Sequence, residues 1–306
     1  MRRVARGRFI DHERPRGYHV DYSSAAENWT GQALPESPAD LARLALGDLE
    51  LYLARGTPER RDRFELAVSE LVRRIETIPG GFSGWAMPEG PAAYRDELSE
   101  GWFSGRVHAE CVAALVRAKT VLGHNEALAC ARAAFGGFET PVEEGGFVRE
   151  IAEEGLESGL ESALFIETYP TRGRSLCLGG HMRAMLTIHD YGRVVEPERA
   201  ESLFTRALAG LEYTLDGFDT GSWSLADLDD RWRGARTASR ALHKEHILHL
   251  KELARITGRS QLHQTAVRWG DYDARPLLVL RASVARVAFR IMNPGAPVEA
   301  VRGRRA

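Results

Sequence analysis

The sequence predicts an all-α fold: an (α/α) toroid or incomplete barrel of helical hairpins, with small β-hairpins in its loops. Three observations carry that prediction. Four segments share one plan, an amphipathic helix, a turn with glycine, and a second amphipathic helix. The turn glycines Gly56, Gly123, Gly192 and Gly258 recur at spacings of 67, 69 and 66 residues. Between the hairpins lie long connections, Pro79–Gly105, Gly136–Arg174 and Gly217–Arg240, rich in Gly, aromatic and polar residues.

The first helices are expected at Ala39–Arg55, Val107–Leu122, Gly180–Tyr191 and Leu242–Thr257. In the first of them Leu41, Leu44, Ala45, Leu49 and Tyr52 recur at helical spacing, which marks a buried stripe. Glycine after each first helix fits a left-handed cap that stops one helix and lets the next begin. In a stack of like-oriented hairpins the long connections emerge on one face, so they are expected to surround a single cleft. A short strand pair is expected within Glu139–Glu150, around its Glu-Glu-Gly-Gly turn. The organisation that follows is an N-terminal arm (1–38), the toroid (39–272) and a C-terminal extension (273–306) packed on the same domain, in which Val279–Ile291 reads as a final helix.

Composition narrows the function. Lys plus Arg number 41 and Asp plus Glu 43, a net charge of −2, so the basic excess of a dedicated nucleic-acid binder is missing. No run of 18 apolar residues is present, so no membrane partner is expected. The N-terminus is basic without an apolar stretch behind it, and Cys111, Cys130 and Cys177 are odd in number and far apart. These features read as a cytoplasmic protein with reduced thiols. No phosphate loop, dinucleotide fingerprint or CxxC pair occurs, and no cofactor is expected.

Candidate chemistry sits in the connections and on the helices that follow them. Phe165 to Thr171, with Arg172 and Arg174 behind it, gathers Glu167, Tyr169 and guanidinium groups, a set suited to acid–base work and to gripping an anion. His243 and His246 lie one turn apart on one helix. They lack the HExxH order, so polar groups facing a cleft are the preferred reading over a metal site. Trp102, in Gly101-Trp102-Phe103-Ser104, and Trp223, in the turn from Phe218 through Asp219 and Ser222, are candidates to line the cleft. His108, Glu110, His181 and Arg183 qualify by their place on inward-facing first helices.

In series these residues resemble the helical catalytic domain of the D-glucuronyl C5-epimerase family. The resemblance rests on Gly84-Trp85, Gly101 to Ser104, Leu115 to Ala118, Glu167-Thr168-Tyr169-Pro170-Thr171 against the family's Glu-Glu-Tyr-Pro-Thr/Ser loop, Phe218 to Ser222 against its Tyr-Asp-Thr-Gly-Ser turn, and His243 with His246 against its His-x-x-His helix. It spans roughly residues 80 to 272 and continues more weakly through Pro15–Asp21 and Leu44–Tyr52. It implies an (α/α) toroid and proton abstraction next to a carboxylate, with Tyr and Glu as acid–base groups and Arg on the carboxylate. It assigns catalysis to Glu167, Tyr169, His243 and His246. Substrate binding falls to Trp102, His108, Glu110, Arg172, Arg174, His181, Arg183, Asp219, Ser222 and Trp223. The chain departs from the family at Ala226 and Leu242, where the family has Tyr, at Thr168, where it has Glu, and at Asp229, where it has Arg. An acid at a polyanion-binding position repels the family's substrate.

The expectation is therefore a repurposed isomerase- or lyase-type enzyme on a small or medium secondary-metabolite-type carbonyl compound. Its carbanion can expel a β-hydroxyl, and the resulting alkene can accept a nucleophile and cyclise. Alternatives are a true uronate epimerase on a heparosan-like chain, or a non-catalytic protein that binds a carbohydrate or a partner. The ligand is a small molecule or an oligosaccharide, and a homodimer is left open.

Overall fold

The computed structural model describes residues 22–29, 33–77, 81–88, 90–98, 100–152 and 162–297. The arm's Pro15–Asp21 motif and the final residues 298–306 lie outside that set. Ten α-helices occur among the described residues. A short α1 (Ser23–Glu27) lies on the first hairpin. The hairpins are α2 (Pro38–Arg55) with α3 (Pro58–Arg73), α4 (Gly105–Leu122) with α5 (Asn125–Phe135), α6 (Leu178–Val194) with α7 (Pro197–Thr214), and α8 (Arg240–Thr257) with α9 (Ser260–Asp273). The last helix, α10 (Pro276–Met292), follows.

Local chemistry sets these boundaries. Proline opens α2, α3, α7 and α10, where its missing N–H costs nothing. Ser104 and Ser239 cap α4 and α8 by accepting from the N–H of Val107 and Leu242. Gly56, Gly123 and Gly258 end their helices at φ 77°, 73° and 71°, as the spacing predicts. Gly192 does not. Helix α6 runs through it to Val194, and a Cβ there would stand 2.8 Å from the Ala200 Cβ of α7. Its lack of a side chain serves a close helix crossing instead of a cap.

The first helices α2, α4, α6 and α8 pack on one another in order, each backed by its own second helix. Helices α4 and α6 are buried on nearly every side, whereas α3, α7 and α9 bury one stripe. Inner and outer layers follow, the arrangement of an incomplete (α/α) toroid. Two minor antiparallel pairs join the connections: β1 (Glu76–Thr77) with β2 (Ser83–Gly84), and β3 (Val148–Ala152) with β4 (Ala163–Ile166). The strand expected inside Glu139–Glu150 thus finds its partner further along the chain. Around the Gly-Gly turn the backbone forms a short 3-10 turn, Val142–Glu144.

One latch repeats through the toroid. His108, His181 and His243, each in the first turns of an inner helix, place Nε2 against the carbonyl oxygens of Ala134, Ala207 and Trp269 at 2.8, 3.1 and 3.0 Å. Each acceptor lies 26 residues on, in the outer helix of the same hairpin or at its end. A carbonyl can only accept, so Nε2 carries a proton in each ring. On the opposite side, Nδ1 of His181 accepts from the N–H of Ile166, and Nδ1 of His243 from that of Ser224. His181 and His243 thus staple connection, inner helix and outer helix together, whereas the hydrogen bond of His108 joins only its two helices.

Burial lowers the three latch pKa values to about 4, 3 and 4, against 6.5 for the free side chain. Between those limits the unfolded chain binds more protons than the folded one, so stability is present at neutral pH and is lost as pH falls from about 6.5 towards 4. Each histidine contributes a slope of about 1.4 kcal/mol per pH unit in that window. Urea midpoints measured from neutral pH downward are expected to fall steeply there, and a flat profile would refute the neutral latches.

Beyond α10 the chain turns back as a strap, Asn293–Pro297. The Asn293 side chain bonds the backbone N–H and C=O of Arg233, the N–H of Ala93 donates to Gly295 O, and Arg236 donates to Pro297 O at 2.8 Å.

Candidate active site

All three long connections reach one cavity of about 330 Å3 on the expected face. The first supplies Met87, Pro88, Pro91, Trp102 and Ser104, the second Thr168 and Tyr169, and the third Ala226 and Arg236. The helices contribute Arg43, Arg106, Cys177, Gly179, Gly180 and Leu242. Among the described residues, three arginines and no carboxylate line this cavity. Asp229 is not on the wall. It accepts from the Tyr94 hydroxyl at 2.9 Å and from Arg231, so the repulsion of anions expected from it does not act at the wall, whose arginines pair with Glu110, Glu245 and Asp227 outside the lining.

Tyr169 lines this cavity. Its ring lies against Tyr94 and Trp102, at centroid distances of 5.0 and 5.9 Å. Burial pushes its phenol up to about 12, Cys177 adds to that, and the Arg236 and Arg106 guanidiniums oppose it. Those two arginines are the groups that would stabilise a phenolate.

Beneath the cavity lies a buried charge cluster. Glu110 accepts from Arg43 Nε at 3.0 Å and lies 3.6 Å from Arg106 Nε and 3.4 Å from Arg183 Nε. Glu245 pairs with Arg183 and lies 3.6 Å from Arg106. Burial alone would raise Glu245, but Arg183 and Arg106 hold it well below the usual carboxylate range. Glu110 and Arg183 therefore support the arginines of the wall and are not themselves part of it.

The start of α6 forms the floor. A Cβ at Gly180 would fall 1.9 Å from Thr168 Oγ1, and one at Gly179 would stand 3.2 Å from His246 Nε2. Both Thr168 Oγ1 and His246 Nε2 are buried without a hydrogen-bond partner. The state of His246 follows from its neighbours. His243 donates from Nε2, so its Nδ1 has no proton, and the Ser224 hydroxyl 2.8 Å away must donate to it. Ser224 Oγ then accepts from His246 Nδ1 at 3.0 Å. That leaves His246 Nε2 as a bare lone pair behind Gly179. Burial holds this ring far below the usual histidine pKa, with Glu245 opposing.

The other expected residues lie elsewhere. The Glu167 carboxylate is enclosed by Arg149 Nε at 2.8 Å, Ser175 Oγ at 2.7 Å and the N–H groups of Ser175 and Leu176 at 3.3 and 2.9 Å. It fixes the loop that presents Tyr169 and has no free oxygen for a ligand. His243, His108 and His181 are latches, and both nitrogens of His243 are committed. Trp223 stacks on His243 at 3.9 Å and donates to Ala238 O, away from the cavity. Asp219 caps its own turn at Gly221 and pairs with Arg268, while Ser222 contacts Thr220. Arg172 is exposed, and Arg174 lines a separate groove with Arg199 and Arg206. Trp102, Tyr169 and, through Gly179, His246 stay at the cleft.

Sequence reasoning missed Arg43, Arg106, Cys177 and Arg236. One signal was available: Arg106 precedes Glu110 by four residues, which places both on one face of α4.

Comparison with known proteins now bears on this site. Residues 82–271 match the family described as D-glucuronyl C5-epimerase C-terminus. The chain belongs to the D-glucuronyl C5-epimerase family. A D-glucuronyl C5-epimerase of Caenorhabditis elegans is 24% identical over 250 residues, covering 76% of this chain and 39% of that protein. An uncharacterized protein of Methanocaldococcus jannaschii is 28% identical over 130 residues, covering 42% of this chain and 41% of its own length. The chain thus spans about two fifths of both curated relatives. A Listeria innocua protein of known structure shares the fold, with TM-score 0.54 and 14% identity over 88% of this chain and 82% of that one. A GH76 α-mannanase of Bacteroides thetaiotaomicron aligns at TM-score 0.48 and 9% identity over 84% and 71%. Within this epimerase-family chain the matched region contains Tyr169, Arg106, Arg236 and His246, whereas Arg43 precedes it.

Proposed function

We propose that this C5-epimerase-family chain removes a proton from a carbon next to a carboxylate or carbonyl, on an anionic substrate of small or medium size. The observation that carries this reading is Tyr169 sharing one cavity with Arg43, Arg106 and Arg236, whose described walls hold three guanidiniums and no acid.

The division of labour follows from position. Arg43 and Arg106 hold the anionic group. Tyr169, as phenolate, takes the proton from the carbon. Negative charge then builds on the substrate oxygen, where Arg236 and the positive N-terminal end of α6 at Gly179 and Gly180 stabilise it. His246 Nε2, on the far side of Gly179, is the second proton acceptor. Return of a proton from solvent to the opposite face, with the proton on Tyr169 lost to solvent, gives epimerisation. A β-hydroxyl on the substrate is expelled instead, taking the proton that Tyr169 has acquired and leaving as water, which gives an alkene that a nucleophile of the same molecule can attack and close into a ring. Ala226 and Leu242 supply apolar surface where the family pattern has phenols, and this favours a secondary-metabolite-type substrate.

The guanidinium-lined wall also suits a uronate residue, so a heparosan-like oligosaccharide is the second reading. Incubation in deuterium oxide separates the two. Deuterium is expected at the α-carbon of small β-hydroxy carboxylates, accompanied by alkene formation. Label at C5 of heparosan oligosaccharides instead would select the second reading. Binding without exchange in any member of the panel would mean a non-catalytic binding protein.

A further inference from the structure

Helix α10 exposes a row of large apolar side chains to solvent. Leu277, Leu280, Val284, Val287 and Ile291 are each between 60% and 80% exposed. Their spacing is three, four, three and four residues, the seam of a two-helix coiled coil. The seam runs about 21 Å at the α-helical rise of 1.5 Å per residue. Only Ala282 and Phe289 of this helix are buried in the body. We propose that α10 pairs with α10 of a second copy of this chain.

Three observations select a second copy over other occupants. The narrow heptad stripe fits a helix, whereas a helix lying on a lipid surface carries a broad apolar sector flanked by displayed basic groups. Here Arg281 is exposed, Arg286 is half-buried, and Arg290 is turned back to the Ala296 and Pro297 carbonyls. The face therefore displays little charge for an anionic lipid or an acidic helix. Met292, also exposed, extends the apolar row at the end of α10, and the remaining exposed large apolar residues, Leu66, Tyr213, Leu248 and Val267, lie on four other helices. No second apolar row is available among the described residues for a head-to-tail contact, and only a two-fold contact buries the seam against its like. In antiparallel pairing the flanking positions set Arg281 against Ala288 of the partner subunit and Ser283 against Arg290 of the partner subunit. No arginine then meets an arginine.

Sedimentation velocity of the full chain over a range of micromolar concentrations tests this. The wild type is expected to form a two-chain species. The double variant Leu280→Glu/Val287→Glu is expected to sediment as a single chain, with at least tenfold weaker self-association and an unchanged far-ultraviolet circular-dichroism spectrum, because both side chains face solvent in the single chain. A wild type that stays monomeric throughout, a variant that dimerises as before, or flotation of a monomeric wild type with phosphatidylserine vesicles would each overturn the proposal.

Discussion

Tyr169→Phe is expected to lower turnover by about 10²- to 10⁴-fold, the range for losing a positioned acid–base group. Folding should survive. The phenyl ring keeps its contacts with Tyr94 and Trp102, and the loop beneath it is held by Glu167, which the substitution leaves alone. The pH profile adds a readout that a packing role would not move. Burial pushes this phenol up to about 12, so the phenolate fraction rises about tenfold per pH unit below that value. Proton abstraction by the wild type should climb with pH across the neutral range, and the Phe variant should lose that dependence. Isotope exchange at the substrate α-carbon, followed against pH in both proteins, is the measurement. Undiminished exchange in the variant would remove Tyr169 from the reaction.

Glu167→Gln is expected to act differently, through the fold. The carboxylate is fully buried and receives Arg149, Ser175 Oγ and two backbone N–H groups. An amide turns an NH2 towards donors and leaves Arg149 with only the exposed Glu143 carboxylate, 3.7 Å away, as counter-charge. Breaking a buried pair in this way costs about 3–5 kcal/mol. The denaturant midpoint should fall accordingly, and activity should fall with it because the Tyr169 loop loses its anchor. A variant that loses activity with an unchanged midpoint would return Glu167 to the catalytic group.

These two outcomes separate residues that look alike in a sequence. Glu167 and Tyr169 stand two positions apart in one family-like loop, and nothing local distinguishes them. The difference lies in Arg149, 18 residues before Glu167, and in Ser175, eight after it. The helical plan was more legible, because apolar periodicity and capping glycines act within a few residues of one another. Gly192 shows the limit of that reasoning, since a close approach between two helices selects glycine as strongly as a cap does. The histidines show it again: their spacing says which face they share, while the carbonyl 26 residues on says what they do. The anion-repelling reading of Asp229 failed for the same reason. A charge affects a ligand only from the wall of the cleft, and Asp229 is turned towards Tyr94 and Arg231.

The strap at Asn293–Pro297 bears on how this protein should be cut. Family similarity ends at residue 271, which invites truncation nearby. Arg236 of the cleft, however, takes one of its acceptors from Pro297, and Ala93, beside the cavity's Pro91, is bonded to Gly295. A fragment trimmed to the region of similarity would keep every residue proposed to touch the substrate except Arg43, yet it would leave one of the arginines held by Asp227 alone, without its second acceptor. The smallest piece worth assaying runs past the last helix and through Pro297.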